Sequence, residues 1–164
     1  MSTISSQEAT KEVFKSGFVT LIGRPSAGKS SLLNALMGKK LAISSPTAQT
    51  TRHRFRAVHT TDSHQIIIVD TPGVHKPHDT LGEELNTTAL KSLEGIDVAA
   101  FVLDASAPFG TGDEWVISQL AQCSMPKLLV LSKIDLVTQE ELDLQRQRAL
   151  EAGQWDGVVA LSSV

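Results

Sequence analysis

Six apolar runs punctuate the chain: Gly17–Ile22, Phe55–Thr60, Gln65–Asp70, Val98–Asp104, Lys127–Ser132 and Gly157–Leu161. Four of them are nearly unbroken β-formers, the pattern of strands covered on both faces of a parallel sheet. The second and third runs are separated only by Thr61-Asp62-Ser63-His64, short enough for an antiparallel hairpin. Between the other runs the apolar positions move to helical spacing. Ser30–Met37 reads as a short helix stopped by Gly38, and Leu81, Leu85, Ala89 and Leu93 stand four apart in a second. Thr111–Ala121 opens with Thr111 and Glu114 at capping-box spacing, and Thr138 with Glu141 repeats that spacing before a further helix. The pattern predicts an α/β domain: a mostly parallel sheet of about six strands, helices on both faces and one antiparallel edge. Such sheets take ligands at the carboxyl ends of their strands. Residues 1–15 are polar and rich in Ser and Thr, and are expected to form a disordered leader ahead of one domain over residues 16–164.

Composition narrows the classes. A length of 164 residues suits one core, and 41% hydrophobic with 20% charged residues is an ordinary globular balance. The net charge of −3 argues against a bulk nucleic-acid binder. The single cysteine, Cys123, excludes a disulfide framework and a cysteine-rich zinc site. No apolar run approaches the roughly 20 residues of a membrane span. The N-terminus lacks the basic start and apolar stretch of a signal peptide, so a cytoplasmic location is expected.

The strongest motif is Gly23-Arg24-Pro25-Ser26-Ala27-Gly28-Lys29-Ser30, which matches G-x-x-x-x-G-K-[ST] between a predicted strand and a predicted helix. Glycines let backbone N–H groups turn inward as a nest for anionic oxygens, and the helix start adds partial positive charge. Lys29 can reach the β- and γ-phosphates, and the Ser30 hydroxyl can ligate magnesium. A glycine-rich turn that merely caps a helix is the plain alternative. The full pattern arises by chance in fewer than about one such chain in 100, which favours the phosphate loop. The loop alone does not name the base.

Other strand ends carry the rest. The third apolar run closes in Asp70-Thr71-Pro72-Gly73, a D-x-x-G in which Asp70 fits an acid holding magnesium through water and the Gly73 N–H fits a γ-phosphate contact. In the polar stretch before it, Thr51 is the first choice and Thr50 the second for a hydroxyl that completes magnesium coordination. Lys29 and Thr51 are the expected catalytic pair. Val74 stands where many phosphate-loop GTPases carry a water-orienting glutamine, so either another group places the attacking water or hydrolysis is slow. His75 and His78 are expected to be solvated loop residues. The fifth run ends in Ser132-Lys133-Ile134-Asp135, an [NTS]-K-x-D in which Asp135 can accept from the ring N–H and exocyclic amine of guanine. Adenine lacks both donors in that geometry, and a carboxylate left unpaired is costly. The Lys133 stem can lie over the base. Ser162-Ser163, after the last run, could offer backbone N–H groups to the guanine oxygen.

The segments GRPSAGKSS, AQTTRHR, DTPGVHKP and SKIDLV together resemble those of the bacterial Era GTPases, over roughly residues 16–164. The resemblance implies a Ras-like phosphate-loop fold that binds GTP and GDP with Mg2+ and hydrolyses GTP as a switch. The cradle it implies runs from Gly23 through Ser31, with Asp70, Thr71, Pro72 and Gly73 on the phosphate side and Ser132, Lys133, Asp135, Ser162 and Ser163 on the base side. It also implies a role in 16S rRNA processing and small ribosomal subunit assembly, through an RNA-binding KH domain that follows the GTPase domain. This chain stops before that KH domain and before the last helix of the GTPase fold, so a truncated domain is expected and RNA binding belongs to the family rather than to these residues. A monomer is expected, and the family allows peripheral membrane association. Two departures stand out. Ser26 replaces an asparagine linked in related GTPases to a catalytic potassium ion, so little response to K+ is expected. Ser132 replaces a second asparagine, whose bridging hydrogen bonds should be lost. A GTP-dependent binding module with incidental hydrolysis is the main rival. A phosphate-loop kinase would need an acceptor site and an arginine-rich lid, and neither is present in the sequence.

Overall fold

The computed structural model describes residues 13–36, 38, 54–70 and 93–163. Six strands form one sheet: β1 (Lys15–Ile22), β2 (Arg54–Thr60), β3 (His64–Asp70), β4 (Val98–Asp104), β5 (Lys127–Ser132) and β6 (Gly157–Ala160). Helix α1 (Lys29–Leu36) follows β1, α2 (Thr111–Leu120) follows β4, and α3 (Gln139–Ala152) follows β5 after a short 3-10 turn at Ile134–Leu136. The strand order is β2-β3-β1-β4-β5-β6, parallel except for the β2–β3 pair at one edge. This is the predicted α/β architecture, and each apolar run became a strand. Strand β1 begins at Lys15, the last residue of the expected leader. The predicted helix around Leu81–Leu93 lies outside the described residues except for its end at Leu93, which is 2% exposed and joins the core.

The central strands alternate their side chains between two apolar layers. Ile22, Ala99, Phe101, Leu103, Leu129 and Leu131 face one side, against Val116, Ile117 and Leu120 of α2 and Ala149 of α3. The Trp155 ring stacks on Phe101 at 5.6 Å and closes that layer. Ala100, Val102 and Val130 face the other side with Leu32 of α1. The layers hold the strand ends rigid relative to one another, and that rigidity positions everything below.

Helix starts are set by short-range polar chemistry. Thr138 caps α3: its Oγ1 accepts from the Glu141 N–H at 3.3 Å, and the Glu141 carboxylate accepts from the Thr138 N–H at 2.8 Å. The Thr138 N–H and the Thr138 hydroxyl, which donates to the same carboxylate at 3.0 Å, hold the Glu141 carboxyl below the usual glutamate value. At α2 the expected pairing of Thr111 with Glu114 is corrected by one residue. Gly110 is the cap, its N–H donates to the Asp113 carboxylate at 3.0 Å, and the Asp113 N–H returns to the Gly110 carbonyl at 2.9 Å.

Candidate functional site

The carboxyl ends of β1, β4 and β5 meet at the turn between β1 and α1. Gly23 leaves β1 at φ +156°, and a Cβ placed there would sit 2.3 Å from the Val102 carbonyl oxygen of β4. Only glycine lets the chain pass so close to β4. Gly28 turns into α1 at φ +92°, with the Ser132 hydroxyl 3.4 Å from where a Cβ would stand. Ser26 adopts the left-handed conformation at φ 64° on the exposed crest of the turn, while Ala27 beneath it is buried. The first turn of α1 contains no acid, so its partial positive charge is not offset locally. Lys29 bends back over the turn, its Nζ donating to the Gly23 carbonyl at 2.7 Å and the Arg24 carbonyl at 2.6 Å. Burial holds the Lys29 ammonium below the usual lysine value. The result is a partly desolvated cation on a glycine turn at a helix N-terminus, an arrangement chemically suited to a polyanion. Ser30 and Ser31 follow, both exposed.

A second cluster lies at the end of β5. Ser132 is fully buried, and its Oγ donates to the Ala27 carbonyl at 2.7 Å, with the Leu103 carbonyl at 3.1 Å. The amide bridging expected to be lost at this position is thus replaced by a hydroxyl bridge into the phosphate-loop turn. Lys133 is left-handed at φ 58°, and its Nζ pairs with Asp104 Oδ2 at 2.5 Å across the ends of β4 and β5. Burial tends to raise the Asp104 pKa, but hydrogen bonds from Lys133 and Ser106 outweigh it and hold the carboxyl below its usual value. The Lys133 stem passes near Gly28. Asp135 is exposed in the 3-10 turn. The chain after β6 is drawn alongside, since the Leu161 N–H donates to the Leu131 carbonyl at 2.9 Å and the Ile134 N–H to the Leu161 carbonyl at 3.5 Å. Ser162 and Ser163 follow there, half-buried.

The structure therefore gathers Gly23–Ser31, Ser132, Lys133, Asp135, Ser162 and Ser163 at one end of the sheet. Asp70 ends β3, paired in register with Arg54. Thr50, Thr51, Thr71, Pro72, Gly73, Val74, His75 and His78, and the Asp70 side chain, lie outside the described residues. Two acids were missed in the sequence, Asp104 and Asp113. Asp104 closes an apolar run just as Asp70 does, and that shared position was its one available signal.

A glycine-turn phosphate loop between β1 and α1, in a sheet of this order, defines the Ras-like phosphate-loop class. The family model described as "50S ribosome-binding GTPase" matches residues 18–133, and the chain belongs to that family. It is 43% identical over 155 residues to GTPase Era of Leuconostoc citreum (strain KM20), covering 93% of this chain and 51% of the relative. It is 45% identical over 147 residues to GTPase Era of Nostoc sp. (strain PCC 7120 / SAG 25.82 / UTEX 2576), covering 88% and 45%. Among solved structures, Era in complex with MgGDPNP and nucleotides 1506–1542 of 16S ribosomal RNA superposes with a TM-score of 0.71 at 35% identity, covering 92% of this chain and 52% of that one. The Era resemblance read from the motifs is borne out. The chain spans about half the length of the curated relatives it matches.

Proposed function

We propose that this chain binds GTP and GDP with magnesium and hydrolyses GTP slowly, as the nucleotide switch of an Era-type protein. The observation that carries the reading is Lys29: its ammonium is partly buried and, among the described residues, held by two loop carbonyls, Gly23 and Arg24, which a phosphate group could displace. Asp135 supplies the guanine-reading carboxylate, and its exposure leaves it open to a base. The Lys133 stem, fixed by Asp104, flanks the base, and the backbone at Ser162 and Ser163 meets the guanine oxygen.

Ser30, Asp70 and Thr51 would hold magnesium. Two hydroxyls and a carboxylate are the hard oxygen donors this cation takes. When bound, it would offset phosphate charge. Thr71, Pro72 and Gly73 complete the phosphate side, with Lys29 and Thr51 nearest the chemistry. The likeness to Era also supports a role of the whole protein in small ribosomal subunit assembly and 16S rRNA processing, with RNA binding carried outside these residues.

The direct test is affinity for GDP against ADP, each with magnesium, by titration of a fluorescent analogue. Guanine nucleotide should bind about 10⁴-fold more tightly or better, the scale on which a site built to hydrogen-bond a ligand rejects one that leaves its polar groups unpaired. Lys29→Ala should abolish tight binding. Equal affinity for the two bases, or wild-type affinity in Lys29→Ala, would refute the reading.

A further inference from the structure

We propose that Asp113, at the start of α2, is a positioning residue for the phosphate loop and acts through Arg24. This rests on the nucleotide-binding reading above. Arg24 is the first variable residue of the loop, and its carbonyl is one of the two that hold Lys29. Its side chain leaves the loop altogether. Nη1 donates to Asp113 Oδ2 at 3.0 Å, spanning 89 residues of sequence. Gly112 admits the arginine stem, since a Cβ there would stand 3.4 Å from Arg24 Cδ and 3.5 Å from Nε.

Burial separates this pair from an ordinary surface contact. The Asp113 side chain is 3% exposed, against 44% for Arg24. An exposed ion pair is worth about 0–1 kcal/mol. Stripping the partner from a buried carboxylate costs far more, because the charge stays behind. Asp113 Oδ2 is also the oxygen that receives the Gly110 N–H, so the helix cap fixes it independently of the arginine. The loop is therefore anchored on two flanks: at Arg24 to α2, and at Ala27 to Ser132 of β5. Pro25 and Ser26 between the anchors are exposed. With both anchors in place, the Gly23 and Arg24 carbonyls stay where they hold Lys29, and the loop keeps its shape for phosphate.

The plain alternative is that Asp113 only caps α2. Arg24→Ala separates the two roles, since it removes the anchor and leaves the Gly110–Asp113 bonds intact. The experiment measures dissociation of a fluorescent GDP analogue with magnesium, together with the thermal midpoint of the nucleotide-free protein. It compares the wild type, Arg24→Ala, Asp113→Asn and the double variant. Each single change should speed dissociation about tenfold, within the roughly 100-fold that a 1 Å misplacement can cost. The double variant should be no faster than either single one, because both break the same link. Arg24→Lys should recover part of the loss.

Dissociation within about twofold of wild type in Arg24→Ala, even with a lowered midpoint, would overturn the inference and leave a capping role. Additive effects in the double variant would overturn it as well. Should Asp113→Asn fail to fold, Arg24→Ala and Arg24→Lys still decide. A wild-type chain that retains no guanine nucleotide would overturn the function reading itself, a failure distinct from normal wild-type binding with insensitive variants.

Discussion

The Ser132 hydroxyl donates to the Ala27 carbonyl at 2.7 Å and so ties the end of β5 to the turn before α1, across 105 residues of sequence. The hydroxyl has one proton, and the shorter contact, to Ala27 rather than Leu103, takes the larger share of it. Both residues are buried, so the freed carbonyl would be left in a desolvated place. Ser132→Ala should therefore lower stability by about 1–3 kcal/mol, the cost of an orphaned buried acceptor. It should weaken GDP binding too, since the loop loses one flank. Urea unfolding and nucleotide titration on the same preparation check both effects. Stability lost with GDP affinity intact would show that the bridge serves the fold alone.

The strands were legible because burial on both faces leaves unbroken β-forming runs such as Val98–Asp104. The phosphate-loop turn was legible because its glycines, Lys29 and Ser30 are all local. Pairings across the fold were not. Nothing near Arg24 announces Asp113, and nothing near Ser132 announces Ala27; both contacts exist only because separate strands end together. The α2 cap failed for a smaller reason. Asp113 and Glu114 are adjacent acids, and the sequence does not tell which one folds back. Glycine as the cap then removed the side-chain signal. At Ser132 the residue type was read as a loss, because a hydroxyl reaching a carbonyl so far along the chain has no local signature.

The Asp104–Lys133 pair carries a pH signature. The Asp104 carboxyl is held below its usual value of 3.8 in the folded chain. Its stabilising contribution is thus fully present above the unfolded value and is lost as pH falls through the lower, folded one. Urea stability measured between about pH 5 and about pH 2 should show an acid limb that Asp104→Asn flattens. An unchanged limb would mean that other carboxyls govern it.

Gly23→Ala should be among the most damaging single changes in the loop. Its Cβ would enter the space of the Val102 carbonyl oxygen at 2.3 Å, and that oxygen belongs to the central strand β4. Neither partner can move without breaking the sheet. A loss above about 3 kcal/mol is expected, with nucleotide binding lost in whatever remains folded. Chemical denaturation and GDP titration report the two effects.

Thr138→Ala provides the opposite case. It removes the side-chain acceptor for the Glu141 N–H at the start of α3. About 1 kcal/mol of stability should go. The cap is exposed, and the 3-10 turn separates it from Lys133, so GDP affinity should stay within about twofold, under 0.5 kcal/mol. A large fall in affinity would mean that α3 helps set the position of Asp135.

The response to potassium turns on Ser26. This residue sits exposed at φ 64°, a left-handed conformation that asparagine adopts more readily than serine. Ser26→Asn should therefore be accepted by the backbone, with stability unchanged or slightly raised. The substitution also introduces a side-chain carbonyl, a better cation ligand than a hydroxyl and the group that related GTPases place here. A cation beside the γ-phosphate can stand in for an arginine finger, a device worth roughly 10³–10⁵ in turnover. Neither that ligand at Ser26 nor a water-orienting side chain at Val74 is present in this chain. Hydrolysis should accordingly be slow and nearly the same in sodium and potassium buffers, while Ser26→Asn should gain a potassium response. Val74→Ala should change the rate only modestly, because no catalytic side chain is removed. Phosphate release at saturating GTP in matched buffers measures all three. Strong potassium stimulation of the unmodified chain would show that the Ser26 hydroxyl or a backbone carbonyl already suffices as ligand, and this account of slow turnover would be wrong.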